Sequence, residues 1–264
     1  MNLVNNKNYI GSLETYYEYI NDTLSKAKII NADFISYDEA AFTLEEENYN
    51  KFVNKVLDII KNYKIDTLLS LDIHLKKEEI PNKRNMNMFI QSNGEIKYNY
   101  TKHNLIPFAE FDYIPSNEPL QVINTKYGKL STVICYDINY PIFINSLSKK
   151  NIDILIVPSW DYPGVAEFQS KEARYKAIEG GFNLIKNTAN GVVIASDYKG
   201  RILNYFSGKD CQDYFIVSEL YKHGVITLYS YIGQWFNFIY LIGIFIVIYW
   251  PNNELNEELK IKSN

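Results

Sequence analysis

The sequence predicts one layered α/β domain over residues 1–228, then a membrane segment at residues 229–250 and a polar tail at residues 251–264. Three observations carry that expectation. Strand-type and helix-type apolar patterns alternate along the first 228 residues, as they do in layered α/β domains. The 264 residues suffice for one large domain, and neither an internal repeat nor a low-complexity linker divides them. The one strongly apolar run, Trp235-Phe-Asn-Phe-Ile-Tyr-Leu-Ile-Gly-Ile-Phe-Ile-Val-Ile-Tyr-Trp250, lies close to the C-terminus.

Taken in order, Ile10, Leu13, Tyr17, Ile20, Leu24 and Ala27 recur at helical spacing, and Ser12 is a candidate N-cap. Residues 33–36 form a short strand running into Tyr37-Asp-Glu39. Thr43-x-x-Glu46 reads as a capping box, and Phe52, Val56, Ile59 and Tyr63 give the helix behind it an apolar face. Residues 67–71 form a buried-type strand. Residues 88–92 and 95–100, joined by Asn93-Gly94, give the strongest hairpin signal in the chain. Further strands are expected at residues 130–134 and 152–158. Between them Pro141 opens a helix to about Lys150, proline being favoured at the first helical position. Residues 167–179 are helical and stop at Gly180-Gly181, where a left-handed cap is easily formed. Residues 192–196 and 201–206 pair across Asp197-Tyr-Lys-Gly200.

Composition removes several classes of function. With 47% apolar and 22% charged residues the chain is of ordinary globular type, which excludes wholesale disorder. A net charge of −4 argues against a nucleic-acid partner. Cys135 and Cys211 make neither a disulfide framework nor a zinc pattern, and His74, His103 and His223 are not grouped like metal ligands. No metal and no cofactor is expected. The first thirty residues lack the basic start and apolar run of a signal peptide. The C-terminal run of 16 residues reaches the tolerated length of a membrane span, ~20 residues, once Gly233 and Gln234 are counted. Tyr229, Tyr231 and Trp235 on one side, and Tyr249 and Trp250 on the other, resemble interfacial belts. The alternative for this run is a buried core strand or helix.

Cys135 ends an apolar strand and precedes the turn Tyr136-Asp-Ile-Asn-Tyr140. A thiol at such an elbow lies near a helix N-terminus, whose partial positive charge favours thiolate. The alternative is an inert, buried small hydrophobe. Glu39 follows the strand at 33–36, and Lys102 closes the second hairpin strand. A cysteine nucleophile needs a base for its proton, and an acyl substrate needs a donor or cation for its oxyanion. Glu, Lys and Cys at the ends of separate strands would supply those roles, although each taken alone also fits a surface or packing residue.

Five blocks in register, Tyr37-Asp-Glu-Ala-Ala41, Lys102-His-Asn-Leu-Ile-Pro-Phe-Ala-Glu110, Ile134-Cys-Tyr-Asp137, Val157-Pro-Ser-Trp-Asp161 and Ala173-Arg-Tyr-Lys-Ala-Ile-Glu179, resemble the nitrilase (carbon–nitrogen hydrolase) superfamily. Within it the likeness is greatest to the C-terminal catalytic domain of the apolipoprotein N-acyltransferases, through the Leu-Ile-Pro-Phe-Ala-Glu block. The resemblance implies an α-β-β-α sandwich followed by one C-terminal transmembrane helix. It implies Glu39 as general base, Lys102 as oxyanion stabiliser and Cys135 as nucleophile. Glu110 matches a supporting glutamate, Tyr136 the aromatic residue after the nucleophile, and Asp137 a position where the acyltransferases use Glu. That shortening moves the carboxylate by roughly 1.5 Å, enough to weaken a positioned contact.

The reaction that the resemblance implies is acyl transfer through a thioester. The donor would be a phospholipid, and the acceptor the N-terminal amine of a diacylglyceryl-cysteine apolipoprotein. Phe108, Phe111, Tyr113 and Trp160 are candidates to line a dry site. The implied location is the cell membrane, with the domain on the extracytoplasmic face if N-terminal membrane helices precede it. No such helices are seen, and Met1-Asn-Leu-Val4 is at most a stub of the family's first strand, so a C-terminal part of a longer or split enzyme is the simplest expectation. Two other readings use the same residues differently: an amidase that hydrolyses a small amide, and an inactive fragment or membrane scaffold.

Overall fold

The computed structural model describes residues 2–4, 11–207, 215–233 and 235–249. Ile10, Cys211 and the tail at 251–264 lie outside them. Strand β1 (Asn2–Val4) precedes helix α1 (Leu13–Ile29), strands β2 (Phe34–Tyr37) and β3 (Phe42–Glu45), helix α2 (Glu46–Tyr63) and strand β4 (Asp66–His74). Strands β5 (Lys83–Ile90), β6 (Ile96–Thr101), β7 (Ile123–Thr125) and β8 (Gly128–Thr132) then lead to a 3₁₀ turn (Cys135–Asn139), helix α3 (Pro141–Lys149) and strand β9 (Ile154–Trp160). Helix α4 (Ala166–Gly180) is followed by β10 (Asn183–Ala189), β11 (Val192–Ser196), β12 (Ile202–Ser207) and β13 (Phe215–Val217), and last come α5 (Leu228–Ile232) and α6 (Trp235–Tyr249).

The strands form two mixed sheets. One runs β13-β1-β2-β4-β5-β6 with β3 also paired to β4, and the other runs β12-β11-β10-β9-β8-β7. Parallel pairing joins β1–β2–β4 in the first and β8–β9–β10 in the second, so these strands point the same way and their C-terminal ends gather. Side chains alternate along each strand. On β4, Leu68 joins the core between the sheets, while Leu69, Leu71 and Ile73 pack with α1 and α2 on the outer face. On the second sheet, Ala173 and Ala177 of α4 and Ile144 and Leu147 of α3 cover the far side. The layers are therefore helix, sheet, sheet, helix, as the resemblance implies.

Most local expectations hold. The Ser12 hydroxyl accepts the Thr15 N–H and caps α1, a contact worth about 1 kcal/mol. The Asn93-Gly94 turn joins β5 to β6 with Gly94 at φ +81°, and Gly181 caps α4 at φ +73°. The expected strand stub at the N-terminus is a three-residue strand held between β13 and β2. One reading is corrected. Thr43 does not begin a capping box, because residues 42–45 pair with β4 as a strand. The Thr43 N–H goes to the Tyr16 hydroxyl, and the Glu46 carboxylate accepts the Lys76 N–H.

The expected membrane span is not seen among the described residues. Helix α6 has 15 residues, about 22 Å at 1.5 Å per residue, against the ~30 Å hydrocarbon core. Among the described residues no helix is long and apolar enough to cross a membrane. Nor is the run a buried core element: Trp235 at 70%, Phe245 at 61% and Val247 at 79% stand exposed.

Candidate active site

Three strand ends deliver the site. Glu39 lies in the tight turn after β2, where Ala40 takes φ +55° and donates its N–H to the Ser70 hydroxyl. Lys102 is the first residue after β6, its N–H bonded to the Asn85 carbonyl of the neighbouring strand. Cys135 opens the 3₁₀ turn beyond β8 at φ +45°, the left-handed region that a side chain normally avoids. Strain of this kind, of order 1–3 kcal/mol, is characteristic of positions that must present a side chain at a sharp elbow. All three side chains are buried, at 5%, 1% and 4% exposure.

They are wired together. Glu39 Oε1 accepts from Lys102 Nζ at 2.8 Å and from Asn85 Nδ2 at 2.7 Å. Glu39 Oε2 accepts the Trp160 N–H at 2.7 Å, and the carbonyl of Trp160 lies 3.8 Å from Cys135 Sγ. One residue at the end of β9 thus bridges base and thiol through its backbone. Lys102 Nζ also reaches Glu110 Oε1 at 2.6 Å, while Glu110 Oε2 accepts the Ile106 N–H at 2.7 Å. Glu110 therefore fixes the loop at 105–110 and the ammonium at once.

The charges decide the resting state. Burial pulls the Lys102 ammonium down, but the charges of Glu39 and Glu110 and the Glu110 hydrogen bond hold it above its ordinary range, so Lys102 is cationic. Burial pushes the Cys135 thiol up, the negative Glu39 pushes it further, and Lys102 only partly pulls it back. Burial likewise raises the Glu110 carboxyl against the pull of Lys102. The expectation of a helix-stabilised thiolate is thereby corrected. Cys135 precedes α3 by a whole 3₁₀ turn, and desolvation beside a carboxylate favours the neutral thiol. A base that takes the proton moves a negative charge within the site without adding one. It is expected that, in a Cys211→Ser background, iodoacetamide alkylation of Cys135 accelerates about tenfold per pH unit up to pH 10. A plateau below pH 9 would contradict this assignment.

Asp137, expected to make a weakened contact, is instead fully engaged and wholly buried. Its carboxylate accepts from the Tyr100 hydroxyl at 2.6 Å, from the Asn104 N–H at 2.7 Å and side-chain amide at 2.9 Å, and from the N–H groups of His103 and Ile134 at 3.4 Å. It clamps the Lys102 segment to the Cys135 elbow. The shorter side chain suffices because the backbone at 103–104 comes to it. Tyr136 is half-buried, with its ring edge-on to Tyr140. Of the aromatic residues expected to line the site, Trp160 contributes its backbone, and Tyr113 is hydrogen-bonded to Asp72. Phe108 and Phe111 instead stand out to solvent, at 99% and 67% exposure.

Sequence reasoning missed Asn85, which orients Glu39, and the buried pair of Asp161 and Lys186. The signal for Asn85 was the alternation Asn85-Met86-Asn87-Met88, which sends the amides to the inner face of β5, where Asn87 reaches Thr132 of the other sheet. Among the described residues no group of His, Cys, Asp and Glu is arranged to hold a metal ion.

Comparison with known proteins agrees with this geometry. The family model described as Carbon-nitrogen hydrolase matches residues 12–222. An apolipoprotein N-acyltransferase of Pseudomonas putida is 27% identical over 149 residues, covering 48% of this chain and 29% of that protein. Another, from Haemophilus influenzae, is 25% identical over 225 residues, covering 74% of this chain and 41% of that protein. The chain thus spans less than half the length of these curated relatives. Among solved structures, an amidase of the nitrilase superfamily from Nesterenkonia AN1 superposes with a TM-score of 0.71 at 16% identity, covering 83% of this chain and 90% of that one. At that identity the likeness is one of fold.

Proposed function

This chain belongs to the carbon–nitrogen hydrolase family, and on that premise we propose that it transfers acyl groups through a thioester on Cys135. Glu39 takes the thiol proton as Sγ attacks the acyl carbonyl. Lys102 Nζ stabilises the oxyanion together with the Tyr136 N–H, and the leaving group recovers the proton from Glu39. A second nucleophile then attacks the thioester while Glu39 accepts its proton. The observation that carries this reading is the double engagement of Glu39, which holds the ammonium with one oxygen and, with the other, the backbone of the residue contacting Sγ.

The donor in this proposal is a phospholipid, and the acceptor is the N-terminal amine of a diacylglyceryl-cysteine apolipoprotein. The names of the curated relatives support it. So does α6, whose exposed apolar side chains suit a lipid surface, in keeping with the cell membrane as the location in this proposal. A second reading, hydrolysis of a small amide by the same residues, is supported by the near-complete coverage of an amidase fold, an argument by analogy of fold.

The test supplies the detergent-solubilised protein with phosphatidylethanolamine labelled in its acyl chains and a diacylglyceryl-cysteine peptide, and in parallel with butyramide. Labelled N-acyl peptide and lysophospholipid are expected. Ammonia from butyramide without any labelled peptide would replace the acyltransferase by the amidase, and neither product would overturn both.

A further inference from the structure

The second buried ion pair has no part in the mechanism above. Strand β9 ends at Trp160, the residue that bridges Glu39 and Cys135, and the next residue is Asp161. The Asp161 N–H donates to the Ala189 carbonyl of β10 at 3.1 Å, which holds the chain beside the nucleophile. Its carboxylate is wholly buried, and Oδ2 takes the ammonium of Lys186, itself only 2% exposed. Oδ1 is buried too, yet meets no hydrogen-bond donor among the described residues. Gly191 makes room for this carboxylate, since a Cβ there would lie 2.5 Å from Oδ2.

A purely structural ion pair gains from having every lone pair satisfied, and a buried acceptor left unpaired costs about 1–3 kcal/mol. Here the unpaired oxygen belongs to a residue adjoining the backbone that links base and thiol. Its charge pushes the Cys135 thiol up; burial raises the Asp161 carboxyl in turn, and the Lys186 ammonium and then a Thr188 side-chain hydrogen bond to the carboxylate oppose that. Carbon–nitrogen chemistry at Cys135 needs an acceptor for the N–H groups of the nitrogen entering or leaving, because lone-pair direction sets whether it reaches the carbonyl carbon.

We propose that Asp161 Oδ1 receives an N–H of the nitrogen that attacks or leaves at the Cys135 acyl carbon, with Lys186 holding the carboxylate in place. When an amine attacks the thioester, the C–N bond forms and the C–S bond breaks. Its lost proton passes to Glu39 and from there to sulfur, while a remaining N–H stays on Asp161. When a primary amide is the acyl donor the C–N bond breaks instead, and the departing ammonia carries the Glu39 proton. Both sources present the same N–H chemistry; water can donate an O–H in its place, but with two lone pairs on oxygen it depends less on a second acceptor to aim one of them. The pair therefore sets the choice between nitrogen and oxygen nucleophiles.

The proposal rests on the thioester reading, and the experiment separates the two. Acyl-enzyme is formed from p-nitrophenyl hexanoate, whose burst of nitrophenolate needs no nitrogen, and is then partitioned between water and glycine ethyl ester. In the wild type, hexanoyl-glycine ester is expected to dominate at millimolar amine. In Asp161→Asn the amide-to-acid ratio is expected to fall roughly 10- to 100-fold, as for one hydrogen bond to a charged acceptor. The ratio is read after acylation and so is independent of its rate. The paired variant Asp161→Asn/Lys186→Gln leaves no unmatched buried charge and is expected to show the same loss if the single variant does not fold. An unchanged ratio in either folded variant overturns the role of Asp161 with the thioester intact. Absence of a burst in the wild type removes the thioester and this inference with it. With butyramide as donor, the rate of ammonia release is expected to fall in the same variants while the ester burst is kept, which reads the leaving nitrogen as the partition ratio reads the attacking one.

Discussion

Lys102→Met is expected to lower folding stability by about 3–5 kcal/mol at neutral pH and turnover by about 10²–10³-fold. The ammonium is 1% exposed and bonds one buried and one half-buried carboxylate, so its removal leaves Glu39 and Glu110 close together without a cation. The same contacts set the sign of the pH dependence. Burial already raises the Glu110 carboxyl and Lys102 is what pulls it back, so the variant raises it further. A carboxyl raised in the folded state contributes stability that is present below its unfolded value, near ~4.3, and lost as pH rises through the folded value. The stability deficit of Lys102→Met is therefore expected to be largest at about pH 7–8 and to shrink as pH falls towards about 4. Urea titrations of both proteins across that range check it, and a deficit that grows on acidification would contradict the buried triad.

Glu39→Gln is expected to drive two readouts in opposite directions. Turnover falls by about 10²–10⁴-fold, because the thiol loses the group that takes its proton. Yet the thiol itself ionises more readily, since the negative charge of Glu39 is one of the causes that push Cys135 up. Alkylation at a fixed pH of about 8 in the Cys211→Ser background is therefore expected to be faster than in the parent. The amide can keep its oxygen on Lys102 and Asn85 but meets the Trp160 N–H with a second donor. A stability loss of about 1–3 kcal/mol accompanies the change. Slower alkylation together with lost turnover would mean that Glu39 only holds the site together.

Much of the fold is legible in the chain because the elements obey local periodicity. The hairpin at Asn93-Gly94, the Ser12 cap, the stop at Gly181 and the strand-end positions of Glu39, Lys102 and Cys135 each follow from side-chain chemistry within a few residues. The illegible features depend on partners distant in sequence. Strand β10 escapes a sequence reading because Asn183, Lys186, Asn187 and Thr188 look like a surface segment. Buried, the first three bond to Asp153, Asp161 and Tyr37 from other elements. The capping box at Thr43 fails because β4, over twenty residues away, claims residues 42–45 as a strand. Cys135 shows the same limit: an elbow before a helix suggests a thiolate, but the carboxylate that helps decide its state lies 96 positions earlier in the sequence. For α6 the apolar composition is plain in the sequence, whereas a span also requires a helix of about 20 residues, which the described residues do not supply.

The central claim is a covalent acyl group on one sulfur, and intact-protein mass spectrometry reads it directly. The protein is incubated with an acyl donor, quenched in acid, and weighed before and after neutral hydroxylamine. The account predicts a mass increase of one acyl group on the wild type, discharged by hydroxylamine and absent from Cys135→Ala. An adduct that persists in Cys135→Ala, or a turning-over enzyme that never carries one, would contradict it.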